Sequence, residues 1–174
     1  IGTGVWEGTA IATDQQKHLM HYKFTGYSTG NGSNYELPAN MTDNQAPFEH
    51  TQATDSAGTA STSVSVLARA GGHVIPKACT LKTWKGIATG SGTSDTVTIS
   101  LFKWTPVRND SSTVAPVLLD AVAFTALGNT KVETISETSF TQASVDAGDI
   151  IVTQVKTGTN GTVVYFNTTL EVEF

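Results

Sequence analysis

The sequence predicts an all-β fold, an antiparallel sandwich, on three observations. From residue 74 to residue 174 the chain is a run of short alternating segments broken by Gly, Asn, Asp and Pro. Turn residues recur roughly every 8–15 positions, the spacing of a sandwich or barrel. Thr and Ser together supply roughly a quarter of the residues, well above ordinary usage. The β-branch of Thr restricts χ1 and suits a half-buried pleated surface. No convincing helical period lies between the segments.

The elements follow in order. In residues 1–25 the strand signals are weak: Val5-Trp6 and Ala10-Ile11 sit among small residues, while His18, Met20, Tyr22 and Phe24 alternate on one side. From residue 26 to about residue 62 apolar residues thin out. Gly30-Asn31-Gly32 is turn chemistry, and Pro38, Asn40, Asp43, Asn44 and Pro47 follow. This stretch reads as a long loop-rich excursion in the N-terminal third that carries short strands, pinned by Tyr35, Leu37, Met41 and Phe48. Such excursions make subunit or ligand contacts. Alternation resumes at residues 63–69 through Val64, Val66 and Ala68.

Val74-Ile75-Pro76 opens the next unit. Residues 78–88 read as a strand with Cys79, Leu81 and Ile87 inside, and Trp84 falls on the opposite face by parity. Residues 96–105 read as the central strand. There Val97, Ile99 and Leu101 share one face and Phe102 and Trp104 the other, which implies burial on both sides at a sandwich edge or subunit interface. Segments at 117–124, 132–135, 145 and 150–155 follow, and Asn160-Gly161 is the strongest hairpin signal. In residues 162–174, Val164, Phe166, Thr168, Leu170, Val172 and Phe174 form the buried set. Val163, Tyr165, Asn167, Thr169, Glu171 and Glu173 form the other, wetter set. The expected organisation is residues 1–70 packed on a sandwich core of residues 71–174, one domain overall.

Composition narrows the function. The 174 residues suffice for one well-buried core, and only 14% of them are charged. Net charge is −5 with scattered cations, so there is no basic stripe for nucleic acid. No apolar run approaches the length of a membrane span. Cys79 is the only cysteine, which excludes an intrachain disulfide, and its strand context marks it as a buried thiol. Ile1 is not an initiator residue, so the sequence reads as beginning partway along its gene product.

Catalytic patterns are missing. No Gly-x-Ser-x-Gly elbow occurs, and the four histidines have no Ser or Cys partner by spacing. His18 and His21 would share a helix face but fall on opposite faces of a strand. Asp14, Asp43, Asp55, Asp95, Asp110 and Asp149 sit in turns, where Asp bonds nearby backbone amides. Glu171 and Glu173 share one strand face. As neighbours they repel rather than flank a sugar bond, and they are expected to face solvent or cations on another subunit. No spacing specifies a cofactor or a metal, and the EF-hand pattern is absent. The candidate interface or glycan-contact residues are Trp84, Trp104, Tyr27, Tyr35, Val163 and Tyr165, because aromatic and apolar groups on exposed strand faces serve either role.

Residues 71–174 resemble the jelly-roll β-sandwich modules of tailed-phage virions, marine phages especially. The resembling stretches are Gly71-Gly72-His73-Val74-Ile75-Pro76 and Leu101-Phe102-Lys103-Trp104-Thr105-Pro106-Val107-Arg108-Asn109. To these are added Ala147-Gly148-Asp149-Ile150-Ile151 and Tyr165-Phe166-Asn167-Thr168-Thr169-Leu170-Glu171-Val172. The resemblance implies a jelly-roll-like fold and a non-enzymatic virion component, whether capsid decoration, collar or fibre. It implies a homo-oligomer, a trimer by expectation, that contacts capsid or tail subunits. The alternative is a carbohydrate- or receptor-binding module that reads a host-surface glycan.

Overall fold

The computed structural model describes residues 17–28, 35–36, 72–90, 95–107, 116–128, 131–158 and 163–174. Among them every regular element is a strand. These are β1 (Leu19–Ser28), β2 (Tyr35–Glu36), β3 (His73–Val74), β4 (Cys79–Gly90), β5 (Asp95–Trp104), β6 (Val117–Leu127), β7 (Val132–Glu137), β8 (Ser144–Val145), β9 (Ile150–Thr157) and β10 (Val164–Glu173). Two antiparallel sheets form, in the orders β1-β10-β4-β7 and β2-β9-β5-β6; β8 joins the first by pairing β4, and β3 the second by pairing β9. The chain is an all-β sandwich.

The pairings nest. β5 pairs β6, β4 pairs β7, β2 pairs β9 and β1 pairs β10. Each pair lies within one sheet, and successive pairs of the nest alternate between the two sheets. The inner faces carry the core: Phe24, Trp84, Ile135, Phe166, Leu170 and Val172 from the first sheet meet Val97, Ile99, Leu101, Phe124, Ile151 and Val155 from the second. β10 shows why the sequence folds so. Its even positions are buried and its odd positions wet, and it lies between β1 and β4.

The turn before β9 is locked by one residue. Gly148 has φ of 90°, a left-handed conformation that Gly adopts without a Cβ penalty. Its N–H donates to Ile75 O at 2.7 Å, and Ile75 N–H donates to Asp149 O at 2.8 Å. Asp149 is buried, and Thr105 Oγ1 donates to its Oδ1 at 2.6 Å. The Asp146 N–H donates to Oδ2 at 3.1 Å, and Lys103 Nζ lies 3.2 Å from the same oxygen. The carboxylate is thus paired and hydrogen-bonded, the condition under which a buried charge is tolerated.

Two expectations change. Trp84 faces the core and Ile87 faces solvent, the reverse of simple alternation. The cause is a bulge: Val172 pairs Leu81 while Glu171 pairs Thr83, so Lys82 is an extra residue that flips parity in the rest of β4. β5 is an interior strand between β9 and β6, and Phe102 and Trp104 are buried within the chain itself, so neither a sandwich edge nor a subunit contact accounts for their burial. Residues 19–28 and 35–36, from the N-terminal third, are hydrogen-bonded strands of the two sheets. The segments at Val5-Trp6, Ala10-Ile11 and 63–69, the turns at Gly30-Asn31-Gly32 and Asn160-Gly161, and most of the 26–62 excursion lie outside the described residues.

Candidate functional site

The outer face of the first sheet is built in rungs, because residues paired across antiparallel strands point the same way. The top rung is Tyr27, Tyr165, Thr89 and Val132. Below it come Thr25, Asn167, Ile87 and Thr134, and then Lys23, Thr169, Lys85 and Ser136. The lower end carries His21 opposite Glu171 and Leu19 opposite Glu173.

The upper corner is apolar and open. Val132 is 65% exposed, Ile87 50% and Tyr165 39%. The Tyr27 and Tyr165 rings lie 6.2 Å apart at 33°. A shallow hollow of about 160 Å³ lies among Ile87, Thr89, Val132, Tyr165 and Asn167. Isolated exposed apolar residues are ordinary, but an aromatic and two β-branched aliphatics around one hollow form a contact surface. The bulge at Lys82 turns Ile87 outward onto this face, while Gly86, paired with Thr168 and Ile135, has the inward parity and packs so closely on Asn167 O and Thr168 Cα that a Cβ there would collide.

The lower end is polar and internally paired. Lys17 Nζ lies 3.0 Å from Glu173 Oε1, Lys82 Nζ 3.4 Å from Glu173 Oε2, and His21 Nε2 3.1 Å from Glu171 Oε2. The hydrogen bond from Lys17 holds the Glu173 carboxyl below its ordinary range. These two glutamates, expected to face solvent or cations on another subunit, find partners within their own chain, Lys17 and Lys82 for Glu173 and the His21 ring for Glu171.

The six candidate contact residues separate sharply. Trp84 and Trp104 have no exposed surface, so neither offers a ring to a partner or a sugar; Trp84 belongs to the core, and Trp104 packs against Phe102 at 5.7 Å. Tyr27 and Tyr165 are brought together as the cross-strand pair. Val163 is half-buried just before β10. Tyr35 pairs Lys156 in β2, in the other sheet, and does not join them. Sequence reasoning missed Ile87 and Val132: the bulge inverts the first, and the second reads as an ordinary strand residue.

Elsewhere, His73 packs between Tyr22 and Phe24, with ring centroids 5.1 and 4.9 Å away, and its Nε2 lies 2.9 Å from Lys23 O. Burial pushes the Cys79 thiol above its ordinary value, as expected of an inert core cysteine. Among the described residues no three His, Cys, Asp or Glu side chains converge, and no helix is long and apolar enough to cross a membrane. No protein-family model matches the chain, and no curated protein does.

Proposed function

We propose that this chain is a non-enzymatic structural module of a tailed-bacteriophage virion, a capsid decoration, collar or fibre component. It works by packing the upper corner of its first sheet against another subunit. The exposed cluster of Ile87, Val132 and Tyr165 around one hollow carries this reading, since removing such a surface from water is the main drive for association. The nested strand order supports the jelly-roll form of the sandwich, in which a folded ribbon of strand pairs wraps into two sheets. The quaternary state proposed is a closed homotrimer attached to capsid or tail subunits in the extracellular particle.

A second reading is favoured by one observation: Tyr27 and Tyr165 stand beside Asn167 on an open face, a stacking and hydrogen-bonding surface for a host glycan. Sedimentation of the full chain separates the two. Packing predicts a mass of three chains of 18.3 kDa. It also predicts that Ile87→Glu weakens association at least about tenfold while leaving the circular dichroism unchanged. A stable monomer whose glycan-array binding disappears in Tyr165→Ala would favour the second reading and overturn the first.

A further inference from the structure

Beside the apolar corner, the outer face of the first sheet carries surplus positive charge. Lys17, Lys23, Lys82 and Lys85 stand there against Glu171 and Glu173, and salt bridges join Lys17 and Lys82 to Glu173. Among the described residues no carboxylate pairs with Lys23 or Lys85. Both are exposed, and they flank Thr169 on a single rung. Two interstrand spacings put them roughly 10 Å apart. The chain as a whole carries −5, so this excess is local.

The opposite imbalance lies at the rim of the sandwich where the two edge strands β6 and β7 approach each other. Asp120 on β6 and Glu133 and Glu137 on β7 are half-buried there, and among the described residues no cation pairs with any of them. Asp120 Oδ1 accepts the Ala121 N–H, but its Oδ2 is buried with no hydrogen-bond partner. Burial and then the charge of Glu137 push the Asp120 carboxyl up; the Ala121 bond opposes them. Among the described residues β6 and β7 each pair with one strand only, and Leu119 O of β6 accepts the Gln142 N–H.

A symmetric contact of the face centred on this rung would stack Lys23 and Lys85 against the same lysines, which costs specificity and encounter rate. A heterologous contact does the reverse. We infer that the occupant of the face is a second copy of this chain presenting its β6–β7 rim. Lys23 and Lys85 of one copy meet Asp120, Glu133 and Glu137 of the next, while Ile87 and Tyr165 are covered between them. Such a head-to-tail contact closes into a ring when the rotation allows, which a trimer requires. The inference rests on the reading of the upper corner as a packing surface and adds which surface packs on it.

A charge swap tests it. Lys23→Glu/Lys85→Glu and Glu133→Lys/Glu137→Lys are made separately in the full chain, folding is checked by near-ultraviolet circular dichroism, and mass is followed by sedimentation. Each variant alone is expected to self-associate at least about tenfold more weakly than the native chain, and an equimolar mixture is expected to form mixed pairs but no closed three-membered ring, since such a ring of two variants keeps one like-charged contact. Joining all four changes in one chain makes every contact complementary and restores self-association, and the native assembly loosens as salt rises. If Ile87→Glu dissociates the assembly but neither charge variant does, the rim is not the partner, and packing at the upper corner stands without it. Failure of the chain with all four changes to self-associate overturns the pairing equally. A native chain that stays monomeric at every concentration overturns both.

Discussion

Asp149 accepts from Thr105 Oγ1 and the Asp146 amide and pairs with Lys103 Nζ, and its carboxylate has almost no contact with water. Removing the carboxylate leaves Lys103, 13% exposed, with only the more distant Asp146 Oδ2 at 4.0 Å as counter-ion. Asp149→Ala is therefore expected to destabilise the fold by about 3 kcal/mol, measured by urea titration, because Lys103 loses its nearer counter-ion in a largely enclosed place. Asp120 behaves in the opposite sense. Its folded-state carboxyl titrates above the ordinary range because burial disfavours the charge. The stability that protonated Asp120 contributes is fully present below the ordinary carboxylate range and is lost as pH rises through the raised value. At neutral pH the ionised group is thus a liability, and Asp120→Asn should raise stability by about 1 kcal/mol. That gain should shrink as melting is repeated at progressively lower pH; a gain constant in pH would place the carboxylate in an ordinary environment. Glu173 runs the other way. Its lowered carboxyl supports the fold above the ordinary range and loses that support as pH falls through the folded value.

At the scale of the element, β4 is decided by one inserted residue. Lys82 sits between Leu81, which pairs Val172, and Thr83, which pairs Glu171. Upstream, Cys79 and Leu81 point inward; downstream, Trp84 and Ala88 do. Deleting Lys82 puts the two halves in one parity, so either Leu81 and Cys79 or Trp84 and Ala88 must leave the core. The expected loss is on the order of 4 kcal/mol, read as a lower urea midpoint. Lys82→Ala should cost under about 1 kcal/mol, since its bridge to Glu173 is partly exposed. Equal effects of deletion and substitution would show that parity is not what the bulge protects. This bulge is also where reading the sequence reached its limit. Alternation in residues 162–174 specifies β10 residue by residue, because one face meets the core and the other meets water. Alternation in β4 is broken: the parity of Cys79 and Leu81 carried onward puts Lys85 inside and Trp84 outside, a conflict that signals a shift without saying which residue is extra. The bulge is defined by the partner strand, so the candidate face lost Trp84 and gained Ile87 only in three dimensions. The bounds and partner of β2, one of the short strands expected in the excursion, were illegible for a related reason: its two residues gain strand character from β9, not from any period of their own.

Across the whole molecule, the nested pairing makes the last strand an interior one. β10 lies between β1 and β4 rather than at a sheet edge, so its ladders tie a strand from the beginning of the described chain to one from its middle. Leu170 and Val172 are fully buried, and Leu170 shares a rung with Tyr22 and Trp84. Removing residues 170–174 therefore strips two core side chains and strands the ends of both neighbours at once. It also removes Glu171 and Glu173 and releases Lys17, Lys82 and His21 from their partners. Burial of the two aliphatic side chains alone is worth roughly 3–6 kcal/mol, comparable to the roughly 5–15 kcal/mol that holds a domain folded. The truncated chain is expected to lose its near-ultraviolet dichroism and its resistance to proteolysis. An edge strand would fray over the same deletion and leave the core intact. A truncated product that stays protected would mean that β1 and β4 close directly on each other, and that the first sheet does not depend on its central strand.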